Sequence, residues 1–177
     1  MKYYTAFLVI FLNGVFSFSQ DATNVKSFIL KSFGLNGISV KSNAEEIVKN
    51  KWHIKNDVIT GCVVTEDLIK NVTIHNDSVK QQIAKINGVD WETKFNNEVI
   101  EEEKKLAEIT DFLNKDPKVI RKKEKYKGEE NRLQYHFSYD EKSTLYKVSL
   151  VFNDSKIKKL MEFDFDLNNK KYSIINS

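Results

Sequence analysis

Apolar residues recur at every second position through three consecutive runs of the sequence. Leu133, Tyr135, Phe137 and Tyr139 alternate with Gln134, His136 and Ser138; Tyr146, Val148, Leu150 and Phe152 alternate with Lys147 and Ser149, Val151 being the exception. Met161, Phe163, Phe165 and Leu167 then alternate with Glu162, Asp164 and Asp166, and Tyr172 and Ile174 begin a short last run. A period of two puts one set of side chains on a face that needs covering and the other in water, so residues 132–175 predict an antiparallel meander packed on one side.

The chain before it reads mainly as helices. Val25, Phe28, Ile29 and Phe33 fall at helical spacing ahead of Gly34, and Ser42 with Glu45 has the form of a capping box opening a second helix that carries Ala44, Ile47, Val48 and Trp52. Residues 58–64 and 71–75 read as short strands. Asp77 would cap a helix over 78–87 that stops at Gly88, and Asp90 would cap the next. There Trp91, Phe95, Val99, Leu106, Ile109 and Leu113 form a stripe, with a gap at 101–103, that ends before Pro117. Such a helix would be roughly 36 Å long, enough to cross several strands. It is the predicted cover of the meander.

The fold class that follows is α+β: a helical N-terminal half with one long helix packed on an antiparallel four- to five-stranded C-terminal meander. A long helix across a meander resembles the cystatin-like and NTF2-like cone arrangements in outline. The resemblance is one of topology; it carries no residues across and implies no function.

The N-terminus adds a compartment. Lys2 precedes an uncharged apolar run from Ala6 to Leu12, and Ser17 and Ser19 flank a cut site, the form of a secretory signal peptide over 1–19. Asn13 and Gly14 interrupt the run, short of the roughly 20 apolar residues of a membrane span. Residues 20–177 are then expected to form a single α+β domain, exported to a periplasm or the extracellular space, without a membrane span after cleavage. With 41% hydrophobic and 12% aromatic residues, that part can build a folded core. The single cysteine, Cys62, cannot form an internal disulfide and sits in an apolar run, so it reads as a small buried hydrophobe.

Two charged stretches are the candidate binding residues. Lys118, Arg121, Lys122, Lys123, Lys125 and Lys127 face a single acid, Glu124, and read as an edge strand. It would either dock an acidic partner or use its lysines to keep other chains from pairing, the latter being the commoner role. Glu162, Asp164 and Asp166 project from one side of a strand; such a strip can meet a basic partner or calcium, but more often it faces solvent opposite lysines such as Lys147 and Lys171.

Catalytic, metal and cofactor residues are not predicted. His53, His75 and His136 lie in no motif that supplies a partner, and His75-Asn76-Asp77 is too short a cluster for zinc. A formal net charge of +3 and one aromatic in the basic stretch give no footprint for nucleic acid. The expected function is that of an exported non-enzymatic binding protein whose partner is another protein, of inhibitor, immunity or adaptor type. Two alternatives are a carrier of a small apolar ligand, with its pocket between long helix and sheet, and a hydrolase assembled from scattered residues.

Overall fold

The computed structural model describes residues 27–34, 37–60 and 64–176. The expected signal peptide and Cys62 lie outside these. The chain runs β1 (Phe28–Phe33), α1 (Val40–Lys51), β2 (Ile54–Thr60), α2 (Glu66–Asn87), α3 (Trp91–Asn114) and α4 (Pro117–Glu124). After one 3-10 turn come β3 (Leu133–Asp140), β4 (Leu145–Asn153), β5 (Ile157–Asp166) and β6 (Lys171–Asn176). The α+β class holds, and the meander is four-stranded, in the order β3-β4-β5-β6 with every pair antiparallel.

The inward set is the one that the alternation predicts. Phe137, Val148, Leu150, Phe163 and Phe165 are buried against Leu106, Ile109 and Leu113 of α3, together with Ala44, Ile47 and Val48 of α1 and Val119 of α4. The long helix therefore does lie on the meander. Trp91, at its start, does not: it belongs to a second cluster with Phe28, Ile54, Val79 and Ile83, and Trp52 and Phe95 touch both clusters. Glu102 fills the expected gap in the stripe as a buried residue.

The N-terminal half departs from expectation in four places. Residues 28–33 form a strand where helical spacing was read, pairing in parallel with β2 from Phe28 opposite Ile54 onward. A short apolar run fits either period, and the partner strand decides. Parallel strands need a crossover connection, which α1 supplies. The capping box of α1 lies three residues earlier than read: Ser39 accepts from the Ser42 amide at 3.0 Å, and Ser42 Oγ accepts from the Ser39 amide at 2.8 Å. The strand read over 71–75 is instead the middle of α2, which begins at the Thr65 cap; Asp77 caps nothing. Val72, Val79 and Ile83 fall on one buried face of α2, and that packing overrides the β-branched preference of Val72-Thr73-Ile74. Gly88 does end α2, at φ +95°, a conformation that costs glycine little.

The fourth departure is the basic stretch, which is a helix and a turn rather than an edge strand. Asp116 takes the N-cap, accepting from the amides of Lys118 at 2.7 Å and Val119 at 3.3 Å, and Pro117 occupies the first turn. The proline that ends α3 thus also starts α4.

Two asparagines hold strand edges from neighbouring helices. Asn43 of α1, buried, donates to the Tyr135 carbonyl at 3.3 Å and accepts from the Phe137 amide at 3.0 Å, the two bonds that another strand would make to β3. Asn76 of α2 accepts from the Lys31 amide at 2.8 Å and donates to the Lys31 carbonyl at 2.9 Å, while His75 Nε2 lies 3.0 Å from the Ile29 carbonyl. Asn43→Ala should cost about 1–3 kcal/mol, because it orphans a buried carbonyl and amide. A urea midpoint unchanged from the parent would show that water replaces the carboxamide.

Candidate functional site

A groove of about 980 Å³ opens over one face of the β1–β2 ribbon. Its floor follows from strand alternation: Leu30 and Ser32 of β1 and Ile54 and Asn56 of β2 point the same way. Its walls follow from helical spacing. Ser42, Glu45, Glu46 and Lys49 share one stripe of α1; Asn76 and Lys80 share one of α2; Trp91, Glu92, Phe95 and Asn96 share one of α3. His136, on the outward side of β3, completes the rim.

The groove is electrically balanced. Lys49 pairs with Glu45, and Lys80 with Glu92 at 2.9 Å, bridging α2 to α3 across the wall. Lys49 is 8% exposed, so its ammonium is held at the groove rather than in bulk water. Ser32 Oγ is buried without a hydrogen-bond partner among the described residues. Phe95 is half-buried and Trp91 almost wholly so, at 7% exposure, with its ring edge-on to Phe95 at 6.5 Å between centroids. A smaller hollow of about 510 Å³ lies where Phe112 of α3 meets Phe165 and Leu167, bordered by the Lys170–Glu108 pair.

The basic residues singled out in the sequence are divided by the helix that carries them. A strand would align residues 121, 123, 125 and 127, but α4 places Lys118, Arg121, Lys122 and the capping Lys125 on one side and turns Lys123 to the other. Lys123 donates to Asn114 Oδ1 at 2.6 Å and lies 4.7 Å from the Tyr135 ring centroid, and burial pushes its pKa down. Arg121 Nε donates to the Pro117 carbonyl at 3.2 Å. Lys118, Lys125 and Lys127 are exposed, and Lys127 lies in the turn after the helix. Tyr172 donates to Asp116, whose carboxylate pushes the phenol up to about 12 and ties β6 to the start of α4.

Glu162, Asp164 and Asp166 do project from one side of β5, alternating with buried Phe163 and Phe165. Register places Lys147 opposite Asp164 and Lys171 opposite Asp166. Glu162 accepts from Lys159 at 2.6 Å, which holds its carboxyl below the usual range. Asp166 accepts from the side chain and amide of Asn169, at 2.8 and 3.1 Å, and closes the turn into β6. Asp164 Oδ1 is buried without a hydrogen-bond partner among the described residues. Among the described residues, no group of three or more His, Cys, Asp or Glu side chains is placed to hold a metal ion, and no helix is long and apolar enough to cross a membrane.

Leu30, Ser32, Lys49, Asn56 and Asn96 were missed by sequence reasoning. Polar residues at four-residue intervals, such as Ser42/Glu46 or Glu92/Asn96, are the ordinary marks of a wetted helix face, and only the packing of three helices around one ribbon brings them together. Comparison of the chain with protein families, with curated proteins and with solved structures finds no match in any of the three.

Proposed function

We propose that this chain is an exported, non-enzymatic binding protein that recognises another macromolecule through the groove over β1 and β2. The observation that carries the reading is the groove itself: an open site at the upper end of ligand-pocket sizes, with a floor of mixed apolar and polar side chains and charged residues on its helical walls. The space between α3 and the sheet, where a carrier would hold its ligand, is filled by Phe137, Phe163 and Leu106, each at most 3% exposed. His75, the histidine of the short candidate cluster, is engaged by a strand carbonyl.

Affinity capture from the native exported fraction tests the site, using the parent chain and Leu30→Glu, which puts a charge on the half-buried floor. The expected result is a partner retained by the parent and lost by a variant with the parent's circular dichroism. Equal retention by both would move the site elsewhere, with α4 next in line through charge reversal of Lys118, Arg121 and Lys125. Export has its own test: N-terminal sequencing of the chain recovered outside the cytoplasm should begin at Gln20. A start at Met1, in the cytoplasmic fraction, would overturn it.

A further inference from the structure

We infer that the occupant of the groove is an extended polypeptide segment of the partner, held by its backbone and seated by one apolar side chain. The inference rests on the reading of the groove as the binding site and adds the chemistry of what enters it.

Charge is the first discriminator. The groove carries Lys31, Lys49 and Lys80 against Glu45, Glu46 and Glu92, and two of those pairs are closed. A balanced rim gives no net field for a polyanion such as a nucleic acid or a sulfated glycan. The hydrogen-bonding groups are the second. A peptide backbone offers one donor and one acceptor per residue, and a carboxamide matches both. Four asparagines line the groove or its margins; Asn43 and Asn76 already read backbone amides and carbonyls, on β3 and β1. Among the described residues, Asn56 on the floor and Asn96 on the wall hold no strand edge. Beside them, the Lys49 ammonium, with three donors, meets Glu45.

The aromatic residues separate a peptide from a neutral sugar. Recognition by stacking needs an open ring face, but Trp91 is 7% exposed, its surface taken up by Phe95, Trp52 and the second core cluster. What remains accessible is Leu30 and Ile38 with part of Phe95, a small apolar seat suited to an aliphatic side chain. Main-chain bonds for affinity and one side-chain pocket for selectivity form a common mode of peptide capture.

The probe is a displayed library of unstructured dodecapeptides, panned on the full chain, with a neutral glycan array as the parallel arm. Enriched peptides should share an aliphatic residue. They should lose about tenfold or more in affinity on the double variant Asn56→Ala with Asn96→Ala, which removes two backbone-matching groups, and should bind Gln81→Ala, on the exposed side of α2, like the parent. Failures of the two readings are distinguishable. Glycan binding abolished by Leu30→Glu would overturn the peptide inference and leave the groove as the site. Enriched peptides indifferent to both the asparagine pair and Leu30 would overturn the groove as well, as would no enrichment in either arm.

Discussion

Phe163→Ala should be the most damaging single truncation in the sheet, with an expected loss of about 3–5 kcal/mol. The side chain is 1% exposed, sits on the inward face of β5 between Val148 of β4 and Ile174 of β6, and meets the Tyr172 ring edge-on at 5.6 Å. Removing it therefore opens a cavity that three strands and α3 would have to move together to fill, and close-packed interiors relax only in part. For a chain of this size, the loss corresponds to a fall of roughly 6–20 °C in melting temperature. Phe112→Ala is the internal comparison. Phe112 also packs edge-on against a sheet aromatic, Phe165, at 5.3 Å, but it is 37% exposed. Part of its surface is wet before the change, so its truncation should cost well under half as much. Equal melting temperatures for the two variants would mean that the inner face of the sheet is loosely packed.

The same residue shows why the C-terminal half was legible. Phe163 and Phe165 alternate with Glu162, Asp164 and Asp166, and no other period fits those five positions. The side chains stayed on the faces that the alternation assigned. α3 was legible for a related reason: 24 residues of stripe leave little freedom, and Pro117 marks the end. Elements of six or seven residues carry no such redundancy. Phe28, Ile29 and Phe33 satisfy a helical spacing, and only Ile54, across 26 positions of chain and an intervening helix, decides that Phe28 begins a strand. In α2, Val72-Thr73-Ile74 speaks locally for a strand, and Val79 and Ile83 speak over a longer range for a helix; the longer range won because it buries a face against Phe28 and Ile54.

The candidate site was less legible than the fold because its parts are individually ordinary. Asn76 in the sequence is one member of a weak His-Asn-Asp cluster; in the fold it pairs the backbone amide and carbonyl of Lys31. Basic residues 118–127 drew attention by density, yet density does not encode direction. Once the stretch is helical, Lys123 turns inward to Asn114 while Lys125 faces out, and the continuous strip no longer exists. The groove depends on β1 and β2 being parallel neighbours, the feature that local periodicity could not supply.

Replacing Glu102 by Gln should lower stability at neutral pH and flatten its loss in acid. Glu102 is 1% exposed at the junction of α1, α3 and β4, where Tyr146 donates to Oε1 at 2.7 Å and Lys51 and Lys105 reach Oε2 at 3.2 and 3.1 Å. Burial works against the charge, but the bonds from Tyr146 and Lys105 and the charge of Lys51 outweigh it and hold the carboxyl below its usual value of 4.5. The sign follows. A carboxyl with a depressed folded pKa gives stability that is complete above the unfolded value and fades as pH falls through the folded one, so this contribution should decline below about 4.5. In the Gln variant, Tyr146 keeps an acceptor while the two lysines lose their counter-charge. Their side chains are 30% and 44% exposed and can turn to water, which limits the cost at pH 7 to about 1–3 kcal/mol. Urea unfolding of parent and variant at pH 7 and pH 3.5 measures the difference directly, and exposed acids such as Glu101 and Asp140 cancel because both chains carry them. A gap between the two chains that narrows in acid is the expected result. A gap of the same size at both pH values would show that Glu102 binds protons alike in the folded and unfolded chain, so that Tyr146, Lys51 and Lys105 do not hold its carboxyl down; a parent that gains on the variant as pH falls would show a carboxyl already protonated in the folded chain.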